Sequence, residues 1–191
     1  MSDMAAELVP RPFTVAEYHR MVEAGIIGSR ERVELLDGLI VTMPPIGVPH
    51  WAAHMHVVQY LNDALRGRAL VPGQISIPLG DLSEPEPDIA VLAPLPYKRL
   101  NRPPEPSEIF ATIELSDSSL GKDTRTKRLL YARFAIADYL VVDLKSDVLL
   151  HFSQPDGEDY PEPRRLGRGD TFTLAALPDI VLEAERFLDE R

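Results

Sequence analysis

The chain has 191 residues, of which 45% are hydrophobic and 26% are charged, a composition typical of a globular protein with a substantial buried core. Its net charge of −10 excludes a protein that coats nucleic acid by overall positive charge, so any nucleic-acid role has to rest on a local basic patch. The chain contains no cysteine, which excludes disulfides and thiolate metal sites, and we therefore expect a cytoplasmic protein. No apolar run approaches the roughly 20 residues that a membrane helix needs, so we expect no membrane contact.

The first third of the chain predicts a helix, a hairpin and a second helix. Thr14 and Glu17 have the spacing of a capping box, which predicts that a helix begins there. Asp37 and Gly38 join two apolar runs, and this dipeptide is the strongest short signal for a β-hairpin. Apolar residues then recur at helical spacing over residues 50–65, which predicts the second helix.

Strand-like segments dominate the rest of the chain. We predict a basic helix over 123–135 and strands over 74–79, 88–92, 109–115, 139–144, 148–152, 171–174 and 180–182. Eighteen prolines gather between several of these elements and indicate loops. Because helices and strands mix without strict alternation, we expect an α/β fold with a mixed sheet flanked by helices.

Two carboxylates stand in segments that should form central strands. Asp88 opens the run D-I-A-V-L, and Glu114 lies near the end of A-T-I-E-L. An unpaired carboxylate is costly in such a position, and a hard cation with oxygen ligands offsets that cost. If the two strands are neighbours, both carboxylates could bind one Mg²⁺ at an end of the sheet. In the alternative interpretation, which spacing alone leaves equally open, Asp88 is a turn residue and Glu114 faces solvent.

A cluster of basic residues follows the second of these strands. A single acid, Asp123, stands among five cations: Lys122, Arg125, Lys127, Arg128 and Arg133. The excess of positive charge favours contact with phosphate groups. A solvated helix face with pairs at i, i+4 is the alternative.

Five stretches in a fixed order resemble a known family. They are V-E-L-L-D-G-L-I-V, P-H-W-A-A-H-M-H-V-V, E-P-D-I-A-V, A-T-I-E-L-S-D-S-S and K-D-T-R-T-K-R-L-L-Y-A-R-F-A-I-A-D-Y-L-V-V-D. Between Phe13 and Phe152 they resemble the Uma-two family of restriction endonuclease-like proteins, within the PD-(D/E)xK nuclease superfamily. The resemblance implies a restriction-endonuclease-like α/β fold and metal-dependent hydrolysis of phosphodiester bonds in DNA.

The resemblance also implies roles for individual residues. Asp88 and Glu114 correspond to the ligands of Mg²⁺ or Mn²⁺. Ser116 stands where the E-x-K motif of the superfamily has its lysine, which is a departure from the pattern. Lys127, on the following helix, is the position that replaces it in this branch, where it would place a water molecule or stabilise charge.

Glu34 and His50 complete the set of active-site residues that the resemblance implies. His50, His54 and His56 also raise the alternative of a zinc site, since the first two lie on one helical face. Zinc helices of the H-E-x-x-H type carry a glutamate next to the first histidine, and none is present here. We therefore favour His50 as a residue at the border of the active site.

We expect one restriction-endonuclease-like domain over residues 1–191. Its parts would be an N-terminal helix and hairpin over 13–43, a catalytic core over about 50–152 and C-terminal strands over 153–191. The expected partner is DNA, and a homodimer would suit the cutting of both strands of a duplex. Two alternatives remain open: a non-catalytic nucleic-acid-binding module that retains the fold, and a metal-dependent hydrolase of small phosphoesters.

Overall fold

Helices and strands mix along the part of the chain that the computed structural model describes, residues 10–99 and 101–188. The helices are α1 (Val15–Glu23), α2 (Val48–Ala64), α3 (Leu120–Lys122) and α4 (Arg128–Arg133), with a π-helical turn (Asp123–Lys127) between the last two. The strands are β1 (Val33–Leu36), β2 (Leu39–Thr42), β3 (Ile89–Leu92), β4 (Ile109–Ser116), β5 (Asp138–Asp143), β6 (Val148–Ser153), β7 (Arg164–Leu166), β8 (Thr171–Leu174) and β9 (Leu177–Glu183). The expected domain bounds include residues 1–9 and 189–191, which lie outside the described residues.

The N-terminal helix and hairpin form as their local sequence predicts. The side chain of Thr14 accepts a hydrogen bond from the backbone of Glu17, whose carboxylate in turn accepts one from the backbone of Thr14, so the capping box is complete. Asp37 and Gly38 have φ values of +48° and +77°, as the tight turn between β1 and β2 requires. Both predictions are confirmed.

A five-stranded sheet in the order β3-β4-β5-β6-β7 forms the centre of the fold. β4 and β5 are parallel, whereas the other neighbours in this sheet are antiparallel. The strands β8 and β9 form a separate pair, as do β1 and β2. The predicted mixed sheet of an α/β fold is therefore confirmed.

Successive side chains of each strand point to opposite faces of the sheet, and a separate core covers each face. Leu140 and Val142 of β5 pack on the face that is covered by α2 and the β8–β9 pair. Tyr139 and Val141 of the same strand pack on the opposite face, together with side chains of α4. On β4, Glu114 shares this second face, because Ile113 and Leu115 on either side of it belong to the first core.

The predicted basic helix over 123–135 is present as a helical segment that runs from α3 through the π-helical turn to α4. We call residues 120–133 the basic helix. Asp123, Lys127 and Tyr131 are all buried, with 2% exposure or less, although the first is an acid and the second a base. These three side chains form the face of the basic helix that covers the sheet.

Two segments differ from the prediction. Residues 74–79, predicted as a strand, contain only an isolated bridge between Leu79 and Ser83, because Pro78 has no N–H to continue a ladder. The short strand β7 was not predicted, since only one of its three side chains is buried and no alternating pattern is visible. No helix in residues 10–99 and 101–188 is long and apolar enough to cross a membrane.

Candidate active site

Asp88 and Glu114 lie side by side where β3 begins and β4 nears its end. Ile89 pairs with Ile113 in the antiparallel ladder, so the next position brings Asp88 opposite Glu114. Directly opposite residues point to the same face of a sheet, with Cβ atoms about 5 Å apart. The backbone N–H of Leu115 donates a hydrogen bond of 2.8 Å to Oδ2 of Asp88, which holds this carboxylate against β4. The structure thus brings the two predicted metal ligands together.

The side chain of Lys127 extends from the basic helix toward the sheet and lies beside Glu114. Its Nζ is 2.9 Å from Oε1 of Glu114 and 3.1 Å from Oε2 of Glu34, and it also donates to the carbonyl oxygen of Glu86 at 3.4 Å. Burial disfavours the charged ammonium, but the neighbouring carboxylates of Glu114 and Glu34 outweigh it and raise the pKa of Lys127. Lys127 is therefore a protonated, fully enclosed cation.

Glu34 connects the N-terminal hairpin to this cation. Its side chain is completely buried, and its two oxygens bind different lysines: Oε1 lies 2.7 Å from Nζ of Lys122, and Oε2 lies 3.1 Å from Nζ of Lys127. Oε2 also accepts a hydrogen bond of 3.2 Å from the backbone N–H of Glu86. Burial opposes ionisation, yet the two ammonium groups lower the pKa of Glu34 below its usual value. Glu34 therefore stays ionised and positions two lysines.

His50, at the start of α2, contacts the aspartate. Its Nε2 is 3.0 Å from Oδ2 of Asp88. Although burial works in the opposite direction, the hydrogen bonds from His50 and from the backbone of Leu115 lower the pKa of Asp88. Among the residues that the structure describes, Oδ1 of Asp88 has a single, long contact of 3.4 Å, with Nε2 of Gln74. Asp88 is thus an ionised carboxylate with one weakly engaged oxygen.

The surroundings of Glu114 shift its pKa in the opposite direction from that of Asp88. Burial raises its pKa well above the usual value, the charge of Lys127 acts against this, and the nearby carboxylates of Asp123 and Asp88 add to the rise. The hydroxyl of Tyr131 donates a hydrogen bond of 3.2 Å to Oε1, the oxygen that also binds Lys127. Within the described residues, Oε2 accepts no hydrogen bond. The free energy of the ionised form would fall if another cation approached this oxygen.

Asp123 and Ser116 are buried next to each other beside Glu114 and Lys127. The hydroxyls of Ser116 and Ser119 donate to Oδ2 of Asp123 at 2.6 and 2.5 Å. The hydroxyl of Tyr139 donates to its backbone carbonyl at 3.0 Å. None of these residues was assigned a site role from the sequence. The only signal was the spacing of Asp123 four residues before Lys127, which placed both on one helix face.

An open cleft lies next to this group of largely buried side chains. Its water-accessible volume is about 60 Å³, enough for a few ordered water molecules. The ionisable residues that line it, apart from His50, are Glu86, Asp88, Glu114, Asp117, Asp123, Arg32, Lys122 and Lys127. Acidic residues outnumber basic ones in this lining.

The donor set fits a magnesium ion. Within the described residues, no group of three or more His, Asp and Glu side chains surrounds a common point that could hold a metal. Mg²⁺ does not require such a group, because it is usually bound through one or two carboxylates and retains several waters. The hydrogen bonds described above engage Oδ2 of Asp88 and Oε1 of Glu114. For a hydrated cation there remain Oε2 of Glu114 and Oδ1 of Asp88, whose contact with Gln74 is long at 3.4 Å.

The histidines of α2 do not converge on a second site. Nε2 of His54 is 3.1 Å from the backbone carbonyl of Asp88, whereas His56 lines a separate apolar pocket together with Phe187. His50 alone reaches the cleft. The arrangement therefore gives no support to a zinc site formed by these three residues.

Comparison with known proteins identifies the family. A family model described as "Uma2: Putative restriction endonuclease" matches residues 15–185. The fold is similar to that of a protein from Anabaena variabilis ATCC 29413 described as "a putative nuclease belonging to DUF820", with a TM-score of 0.70. The similarity covers 92% of this chain and 97% of the other, at 17% sequence identity. No functionally curated protein matches the chain. The match over most of its length shows that the chain belongs to the Uma2 family, the Uma-two family that its sequence resembles.

Proposed function

We propose that the protein is a metal-dependent endonuclease that hydrolyses phosphodiester bonds in DNA. The observation that carries this proposal is the meeting of Asp88, Glu114 and Lys127 in one solvent-accessible cleft, although they come from two strands and a helix. The description of the family model supports the same reaction class. Membership of the PD-(D/E)xK superfamily is part of this proposal.

Each residue has a distinct role in the proposed site. Asp88 and Glu114 would hold Mg²⁺ or Mn²⁺, which polarises a phosphoryl oxygen and lowers the pKa of a bound water molecule. His50 keeps Asp88 ionised through its hydrogen bond of 3.0 Å. Lys127 orients Glu114 and would contribute a fixed positive charge close to the reacting phosphate. Glu34 keeps Lys127 in place.

The assembly belongs to the same proposal. We infer one domain over residues 1–191 that acts on DNA as a homodimer, because two-fold symmetry suits the cutting of two antiparallel strands. Since the cleft is acidic, DNA would bind productively only after the metal ion has reduced the repulsion. Binding should therefore depend on divalent ions more strongly than it would for a basic DNA-binding protein.

The central experiment is nicking of supercoiled plasmid with Mg²⁺ or Mn²⁺. We expect wild type to nick the plasmid, and Asp88→Ala and Lys127→Ala to lose activity. Arg66→Ala is the matched control, because Arg66 is an exposed cation beyond the C-terminal end of α2, whereas His50 lies near the start of that helix. Circular dichroism would check that each variant is folded. Normal activity of Asp88→Ala would refute the proposal.

Calorimetric titration of Mn²⁺ provides a readout that does not depend on cleavage. Wild type should bind the ion, and Glu114→Ala should bind it at least tenfold more weakly, because half of the carboxylate ligands is lost. Equal affinity in both proteins would remove Glu114 from the metal site.

A non-catalytic binding module is the second candidate. It is favoured by Ser116 in the position of the superfamily lysine and by the net charge of −10. Salt-sensitive DNA binding without nicking would support it. Turnover of a small phosphodiester such as bis(p-nitrophenyl) phosphate without plasmid nicking would instead support the hydrolase of small phosphoesters.

A further inference from the structure

Lys122 is a second lysine of the cleft, and its environment differs from that of Lys127. Its Nζ binds Oε1 of Glu34 at 2.7 Å, while 22% of its side chain remains exposed. It lines both the cleft and a shallow groove that adjoins it, bounded in part by Pro44, Pro45 and Ser118. Lys122 therefore lies at the solvent side of the site.

The two ammonium groups differ in the number of donors that remain unused. An ammonium has three N–H donors. Lys127 uses them on Glu114, Glu34 and the carbonyl of Glu86, and its side chain is 2% exposed. Lys122 has a single acceptor, Glu34, among the described residues. Of these two lysines, judged by the contacts of the described residues, only Lys122 can bind a further anion without breaking an existing bond.

Glu34 holds Lys122 ready for this contact. Because the carboxylate is fully buried and also accepts a hydrogen bond from the backbone of Glu86, it is a rigid anchor. A lysine held in this way loses less side-chain entropy on binding than a free surface lysine. The single carboxylate thus fixes one lysine inside the protein and directs another to the surface of the cleft.

We propose that Lys122 is the residue that contacts a phosphate of the bound substrate, through the N–H groups that Glu34 leaves unused. The inference rests on the proposed function and assigns the contact with phosphate to Lys122 instead of Lys127. Lys127 acts as a positioning residue for Glu114 and does not touch the substrate. A non-bridging phosphate oxygen would accept a charge-assisted hydrogen bond from Lys122.

Binding of a fluorescent DNA duplex at a series of NaCl concentrations tests this assignment, with Ca²⁺ in place of Mg²⁺. We expect Lys122→Ala to weaken binding about tenfold at low salt and to reduce the slope of log K against log[NaCl] by about 0.9, the loss of one phosphate contact. Lys122→Arg should retain the wild-type slope, because it keeps the charge. Arg66→Ala and Lys127→Ala should both keep the wild-type slope, although Lys127→Ala should not cleave.

The outcomes separate this inference from the proposed function. If wild type nicks plasmid but Lys122→Ala has the salt slope and affinity of Arg66→Ala, the assignment of Lys122 is wrong and the endonuclease proposal stands. A reduced slope in Lys127→Ala with an unchanged slope in Lys122→Ala would reverse the roles of the two lysines. If wild type neither binds nor cuts DNA, the proposed function fails and this inference fails with it.

Discussion

Lys127 and Glu114 form an ion pair of 2.9 Å in which neither side chain is more than 5% exposed. When one member of such a buried pair is removed, the other remains as an uncompensated buried charge, which strongly destabilises the fold. The pair lies in the candidate active site, so the same contact affects both the stability of the fold and the orientation of a proposed metal ligand.

Removal of the lysine should destabilise the protein strongly. We expect Lys127→Met to lower the free energy of unfolding by about 3–5 kcal/mol, because Glu114 and Glu34 would remain buried without their shared cation. The double variant Lys127→Met/Glu114→Gln should recover part of the loss. Urea denaturation measures both values. Arg66→Met, on the exposed surface, should stay within about 0.5 kcal/mol of wild type. A similarly small effect for Lys127→Met would contradict the structure.

The raised pKa of Glu114 should make stability depend on pH. A carboxyl group whose pKa is higher in the folded than in the unfolded state makes its full contribution to stability at pH values below its unfolded pKa, here near 4.5. This contribution is lost as the pH rises through the folded pKa. The free energy of unfolding of wild type relative to Glu114→Gln should therefore decrease above about pH 4.5 and level off at higher pH. Urea denaturation at several pH values, without divalent ions, would show it. A difference that increases with pH would refute a raised pKa.

His50 should determine how far Asp88 stays ionised in acid. The hydrogen bond from His50 contributes to the lowered pKa of Asp88, so His50→Ala should raise that pKa toward or above its ordinary value of 3.8. Protonation of Asp88 competes with metal binding. Calorimetric titrations should therefore show that His50→Ala loses Mn²⁺ affinity at a higher pH than wild type does. His56→Ala, on the same helix but away from the cleft, serves as the control and should behave like wild type.

The hydroxyl of Ser116 should be important for stability. It donates a hydrogen bond of 2.6 Å to the buried carboxylate of Asp123, and bonds to charged groups contribute about 1.5–3 kcal/mol. We expect Ser116→Ala to cost that amount in thermal or urea denaturation. Ser118→Ala removes an exposed hydroxyl two residues away and should change stability by less than about 0.5 kcal/mol. If Ser116→Ala lowered stability as little as Ser118→Ala, the hydrogen bond to Asp123 would contribute little.

Elements with a strong local signal were predictable from the sequence. The capping box at Thr14 and the turn at Asp37 and Gly38 depend on residues that are neighbours in the chain, so tertiary contacts do not alter them. Residues 74–79 failed as a strand because their apolar side chains are buried under other elements while their backbone forms only isolated bonds. A strand needs both buried side chains and a backbone partner, and the apolar composition of a segment indicates only that its side chains are buried.

The sequence by itself determined which residues supply the candidate metal ligands. Asp88 and Glu114 interrupt two apolar strands, and the alternation of side chains places them on one face once the strands pair. Only the tertiary structure decided the different environments of the two lysines. Lys122 and Lys127 are five residues apart on one basic segment, and residue type and charge do not distinguish them. Both contact Glu34, from a distant hairpin, but Lys127 is buried and also contacts Glu114 and the carbonyl of Glu86, whereas 22% of the Lys122 side chain is exposed. These contacts are set by packing between elements.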